Sequence, residues 1–225
     1  MKRYLRSTIG LKQVMGATGL GLVLFVIIHM LGNLQIFLGS DSFNAYPEKL
    51  RSLGALLWVA RGGLLALFLI HVFAGIRLIQ INRAARDVSY RVYRPRRATF
   101  YGRYMGLLGF VVLAYVIYHL AHLTFGYVLP EYGNHLDEMG RHDLYYYVVA
   151  SFQNVPVAIS YLLANALLCL HLLHGLPSLF QSVGLRHPKF NSVIDRMSLG
   201  IVTLIFVGNT AIPLACLTGT IQLPQ

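Results

Sequence analysis

Five stretches of the chain read as apolar helix with few interruptions, at about 14–38, 54–80, 104–129, 157–182 and 197–219. A hydrocarbon core about 30 Å thick needs roughly 20 apolar residues in helix, and each stretch meets that length. Polar and charged residues gather in the connections, and the stretches fill most of the sequence. The pattern therefore predicts an all-α integral membrane bundle of five transmembrane helices, forming a single membrane domain over residues 1–225. Between the third and fourth stretches, HDLYYYVVASFQNVP predicts a short interfacial helix. Its Tyr145, Tyr146 and Tyr147 suit an aromatic belt and its Phe152 dips inward. Pro156 suits the first turn of the fourth helix, and Pro213 is expected to kink the fifth.

Composition agrees with that class. The chain is 56% hydrophobic and only 12% charged, about half the charge of a typical soluble domain. Gly is frequent, as where membrane helices pack closely. MKRYLRSTIGLK precedes the first stretch, but that stretch is too long for a signal h-region and no small-residue cleavage pattern follows His29, so a retained first helix is expected. Cys169 and Cys216 lie in different stretches without metal-type spacing and are expected to be packing residues.

The net charge of +11 looks at first like an affinity for nucleic acid, but its distribution reads as topology. Lys2, Arg3, Arg6 and Lys12 precede the first helix. Arg77, Arg83, Arg86, Arg91, Arg94, Arg96, Arg97 and Arg103 surround the second connection, and Arg186, Lys189 and Arg196 the fourth. The alternate connections hold only Lys49, Arg51 and Arg141 among Asp41, Glu48, Glu131, Asp137, Glu138 and Asp143. By the positive-inside rule the N-terminus is cytoplasmic and the C-terminus outside, in a multi-pass cytoplasmic-membrane protein.

The chemistry lies in the histidines. His135, His142 and His187 fall in polar connections, where solvated loop residues are expected. The other six fall inside the spans: His29, His71, the pair His119 and His122, and the pair His171 and His174. Ionisable groups at membrane depth are costly and default to a functional role. At about 1.5 Å per residue, His29 lies roughly 22 Å above Val14 and His119 roughly 22 Å above Tyr104. Helices two and four run the other way, with His71 about 14 Å above Gln80 and His171 about 15 Å above Gln181. The four form two layers, His29 with His119 and His71 with His171. A haem iron takes axial ligands from opposite faces, and bundles place such ligands on facing helices. The expectation is two b-type haems stacked across the membrane.

Within HLAH and HLLH the choice stays open. Residues i and i+3 share a helix face, so His122 is an alternative to His119 and His174 to His171; depth favours the first of each. Gly32, Gly75 and Gly175 sit where a missing side chain lets a planar ring approach, although helix packing explains them equally well. Arg61 and Arg77 are the charges within the spans so drawn, and are candidates to pair haem propionates.

The order of HMLGN at 29–33, FNAYPEKLR at 43–51, HVFAGIR at 71–77, YHLAHLTFG at 118–126, DLYYYVVASF and LHLLHGLPS at 170–178 resembles a known family. It is the cytochrome b membrane anchor of succinate dehydrogenases and fumarate reductases (succinate:quinone oxidoreductases), in its single-subunit, five-helix, two-haem form. The resemblance spans nearly the whole chain. It implies haem ligation by His29, His71, His119 and His171, with flavoprotein and iron–sulphur subunits on the cytoplasmic face and the loop at 83–103 as their landing surface. It also implies menaquinone as acceptor, with Glu48 as quinone-site candidate. One departure stands out: some members carry a proton-transferring glutamate two residues before the helix-four ligand, and here that position is Cys169. The spans as drawn hold no Asp or Glu.

Two alternatives remain. A diheme cytochrome b of a nitrate reductase, hydrogenase or formate dehydrogenase also serves quinones, but commonly draws two ligands from one helix. A cofactor-free transporter tends to show inverted repeats and intramembrane acids, and neither is visible in the sequence.

Overall fold

The computed structural model describes residues 7–85 and 100–223. Helix α1 (Thr8–Asn33) runs on into a 3-10 turn at Leu34–Leu38, and a short helix α2 (Ser40–Arg51) follows. Helix α3 spans Ala55–Ala84. A single helical turn at Phe100–Arg103 leads into α4 (Met105–His119), which continues as a π-helical turn at Leu120–Thr124. The remaining helices are α5 (Leu144–Gln153), α6 (Val155–Ser182) and α7 (Pro188–Leu217). There is no strand among the described residues.

Helices α1, α3, α6 and α7, and α4 with its π-turn, are each long and apolar enough to cross a membrane. Their outward faces support that reading. Ile28 (63% exposed), Phe73 (67%), Ile117 (61%) and Leu163 (61%) stand away from the bundle. A soluble monomer rarely exposes so continuous an apolar belt, whereas lipid solvates one without cost.

The helices outrun their hydropathic limits where they leave the apolar zone. Ser7 caps α1 by accepting from the Gly10 amide at 3.1 Å. The His187 side chain accepts from the Lys189 amide at 3.2 Å, and Pro188 opens α7, where its missing N–H costs nothing. Helix α7 thus begins well before residue 197, because Lys189, Asp195 and Arg196 hide a helical turn from hydropathy without breaking it. This corrects the expectation of spans free of Asp and Glu: Asp195 lies in α7 near its start, bonded to Arg186 at 2.9 Å. The third span stops short of residue 129. The Gly126 amide closes onto the His122 carbonyl at 3.1 Å, and Gly126 itself has φ +66°, a conformation that glycine adopts without strain.

The spans alternate in direction, so the connections gather at two ends. At the basic end lie Arg83, Arg103, Arg186 and Lys189; Gln13 of α1 there donates to the Ser182 carbonyl of α6 at 3.3 Å. Arg86, Arg91, Arg94, Arg96 and Arg97 lie outside the described residues. The opposite end is capped by α2, α5 and the 125–143 connection. Its core joins Ile36, Phe43, Val149, Phe152, Tyr161, Ile212 and Cys216. Phe152 is 4% exposed, inward as its sequence suggested.

Polar bonds hold this cap down. Asn44, 2% exposed, donates to Asp143 at 2.9 Å and to Asp137 at 3.3 Å, and accepts from the Tyr145 amide at 2.9 Å. Arg141 reaches Asp137 and Asp41, each at 2.7 Å. Burial works against the Asp137 carboxylate, yet hydrogen bonds from the Arg141 backbone and guanidinium hold its carboxyl below the usual range. Tyr145 and Tyr147 are not belt residues. Both are buried, with the Tyr145 hydroxyl on the Gln222 carbonyl at 3.1 Å and the Tyr147 hydroxyl on the His122 and Val128 carbonyls at 2.8 and 2.7 Å. Tyr146 is the more exposed member and stacks on His135 at 3.9 Å between ring centres.

Candidate functional site

Four spans each turn one histidine toward another across the bundle. The rings of His29 on α1 and His119 on α4 lie 5.8 Å apart with an interplanar angle of 88°. Those of His71 on α3 and His171 on α6 lie 6.4 Å apart at 67°. The same pairing follows from depth along the helices. The two levels are also well separated. An added Cβ at Gly19 would lie 3.2 Å from the His71 ring, and one at Gly109 would lie 3.6 Å from the His171 ring. Gly19 precedes His29, and Gly109 precedes His119, by ten positions, which is about 15 Å of helix.

Edge-to-face rings at this separation are ordinary aromatic contacts, so the nitrogens decide what the pairs can do. The Nδ1 atoms of His119 and His171 are buried without a hydrogen-bond partner among the described residues. Leaving such an atom bare costs about 1–3 kcal/mol. His71 is held differently: its Nδ1 lies 3.1 Å from the Met15 carbonyl and 3.3 Å from the Thr18 hydroxyl. The carbonyl only accepts, so Nδ1 carries the proton and Nε2 keeps its lone pair. A histidine that offers one ring nitrogen to a metal commonly donates its other N–H to a carbonyl in this way.

Two imidazoles on opposite sides of one metal ion hold their ring centres roughly 6 to 6.5 Å apart, since each nitrogen sits about 2 Å from the metal. Both pairs fall close to that span, so separation and donor type fit a bis-histidine haem. No three His, Cys, Asp or Glu side chains converge as a metal site among the described residues, so the histidines come as pairs.

His122 is committed elsewhere. It is fully buried, with Nδ1 2.9 Å from the Tyr161 hydroxyl and Nε2 3.1 Å from the Ser151 hydroxyl. Both ring nitrogens therefore have protein partners, and the π-turn carries this ring toward α5 and α6. His174 is half-buried beside Tyr101, 6.4 Å between ring centres.

The other candidates lie apart from the pairs. Arg61 is exposed and stacks over Trp58 at 5.1 Å; exposed Arg77 donates to Gln80 at 3.1 Å. Glu48 is exposed on α2. Cys169 is buried, its thiol 3.9 Å from the Asn165 side-chain oxygen and 3.8 Å from the Val202 carbonyl. Of the three glycines, Gly32 packs against the Tyr46 ring, while Gly75 and Gly175 face Met15 and Met105. The glycines that approach the histidines are Gly19 and Gly109. These, with Thr18, were missed in the sequence, although depth carries a signal for them: Thr18 and Gly19 lie on helix one at the level of His71.

No protein-family model, curated protein or solved structure matches this chain.

Proposed function

We propose that the chain is the diheme cytochrome b membrane subunit of a succinate:quinone oxidoreductase, with His29 and His119 as one axial pair and His71 and His171 as the other. The observation that carries the reading is the two facing pairs at separate depths, each with a buried ring nitrogen that has no hydrogen-bond partner among the described residues. A haem held by each pair supplies reversible one-electron chemistry at low reorganisation cost. The chain's own residues do the rest. The Met15 carbonyl and Thr18 fix the His71 ring. Gly19 and Gly109 leave room beside the pair at the basic end. Closely packed Tyr115, Tyr118 and Tyr161 screen the pair at the capped end.

The pair nearer the basic end would hold the haem that faces an iron–sulphur partner, itself fed by a flavoprotein, docked on the cytoplasmic face. Exposed Arg83, Lys189 and Arg196 and the arginines of the 86–99 connection suit an acidic partner. The pair nearer the capped end would hold the haem on the menaquinone side, with Glu48 as quinone-site candidate. Propionate partners remain Arg61 and Arg77, which must leave Trp58 and Gln80 to serve. The membrane is the cytoplasmic one, N-terminus inside.

The test is a reduced-minus-oxidised spectrum and haem assay of the extracted chain. Two low-spin b haems per chain support the reading, and co-purification with a flavoprotein and an iron–sulphur protein places it in a succinate-linked complex. Absence of haem absorbance from well-folded protein made with ample haem refutes it.

A further inference from the structure

We infer that His122 and Tyr161 are positioning residues for His119, and that Ser151 ties their setting to α5. This rests on the reading of His29 and His119 as an axial pair. Helical spacing alone places His122 one turn beyond His119, near the same face. The π-helical turn at Leu120–Thr124 changes that. π-turns insert an extra residue into a helix and recur at functional sites, and this one sends the His122 ring into the cap instead of toward α1.

There the ring is fixed on both sides. A neutral imidazole offers one N–H and one lone pair, and a hydroxyl serves either role. Ser151 and Tyr161 therefore satisfy both ring nitrogens in either tautomer, one hydroxyl accepting and the other donating. The backbone is fixed as well, because the His122 carbonyl accepts from both the Tyr147 hydroxyl and the Gly126 amide. His122 and Ser151 are fully buried, so water does not compete for these bonds.

Tyr161 carries the setting across. Its hydroxyl is on His122 while its ring lies 5.9 Å from His119 and 5.4 Å from Tyr115. Tyr115 in turn lies 6.0 Å from His119. The ring plane of His119 is therefore set against His29 by a chain that begins on α5. Losing the Tyr161 hydroxyl leaves the ring's volume in place but frees its tilt, and His119 turns with it.

The relative orientation of two axial imidazole planes sets the low-spin spectrum of the iron between them, so the readout is spectroscopic. Tyr161→Phe, Ser151→Ala and His122→Gln are made in the full chain, and His29→Ala assigns the capped-end component. The expected result is that both haems are retained while the capped-end component shifts in its α-band, its low-spin resonance signal and its midpoint potential. The basic-end component stays fixed and serves as the control. If His122→Gln does not accumulate, the two hydroxyl deletions carry the same test. Spectra superimposable on the parent in all variants overturn the inference, as does an equal shift of both components, which signifies general loosening. Loss of the capped-end haem in His122→Gln with retention in His119→Ala overturns it by making His122 the ligand. A parent chain without haem brings down the axial-pair reading itself, and shows that before any variant is made.

Discussion

Thr18→Val removes one hydroxyl and keeps the side chain's volume, so it isolates the contact of that hydroxyl with the His71 ring. In the parent, the Thr18 hydroxyl donates to the Val14 carbonyl at 2.8 Å and lies 3.3 Å from His71 Nδ1, while the Met15 carbonyl lies closer to that nitrogen at 3.1 Å. Loss of an outer-shell partner typically costs 10–100-fold in metal affinity. Because the better acceptor remains, the effect belongs at the lower bound, about tenfold or ~1.4 kcal/mol. The assay is transfer of haem from the detergent-extracted chain to an excess of a soluble haem acceptor. The component removed by His71→Ala should leave about tenfold more readily in Thr18→Val, and the component removed by His29→Ala at the parental rate. The second pair lies about 15 Å away along the helices, so equal loss from both pairs would mean general destabilisation. Unchanged retention of both would mean that the Thr18 hydroxyl does not help hold the His71 ring, and the coordination argument for His71 would then rest on the Met15 carbonyl alone.

Four further outcomes are expected. Replacing His71 or His171 by Ala should abolish one b-haem spectral component, and replacing His29 or His119 the other, as difference spectra will show. Asn44→Ala strands the buried Tyr145 amide and removes a bond to Asp143, for about 3 kcal/mol of destabilisation. Asp41→Asn, on an exposed side chain, should leave the thermal midpoint unchanged; equal losses in the two would refute the ranking. Asp137 titrates below the ordinary carboxylate value in the folded chain, so its stabilisation is full above ~3.9. It is lost as pH falls through the lower folded value, and amide exchange at Arg141 and Tyr145 should accelerate there. Under the proposed function, charge reversal of Arg94, Arg96 and Arg97, which lie outside the described residues, should loosen the iron–sulphur partner most at low salt, the difference from the parent shrinking as salt screens it; a complex as tight as the parent's at low salt removes that loop from the interface.

The histidine pairing was legible because a helix converts residue number into depth. His29 and His119, then His71 and His171, occupy matching levels whatever the loops do, and the structure brings each pair within ring contact. What depth cannot give is rotation. The contrast between His119 and His122 turns on a π-helical turn that HLAHLT does not announce, and on hydroxyls of Tyr161 and Ser151 that lie 39 and 29 positions away. The same limit explains Tyr145 and Tyr147. Three consecutive tyrosines beside a span have the composition of an interfacial belt, but Asn44 and Asp143 fold α5 onto the bundle and bury two of the three. Helix limits failed where charge was mistaken for the end of a helix, as at Asp195, which pairs with Arg186 at the mouth of α7.

Asp195 also bears on energetics. Among the described residues of the five spans it is the one carboxylate, and it sits at the basic end. The position two before His171, where the resembling family places a glutamate in some members, is a buried thiol facing an amide and a carbonyl. In the proposed function, electrons cross from the basic end to the capped end, and a carboxylate route to carry a compensating proton is missing from the middle of α6. Each uncompensated charge crossing 100 mV is worth about 2.3 kcal/mol. An inside-negative potential therefore pulls electrons outward toward menaquinone, and dissipating it should slow succinate oxidation in sealed, energised vesicles of native orientation. A rate indifferent to an uncoupler would require either a proton path through tyrosines, histidines and water or a quinone site at the basic end. The hydroxyl and imidazole chain around Tyr161, Ser151 and His122 is confined to the capped end, so it does not bridge the two histidine levels by itself.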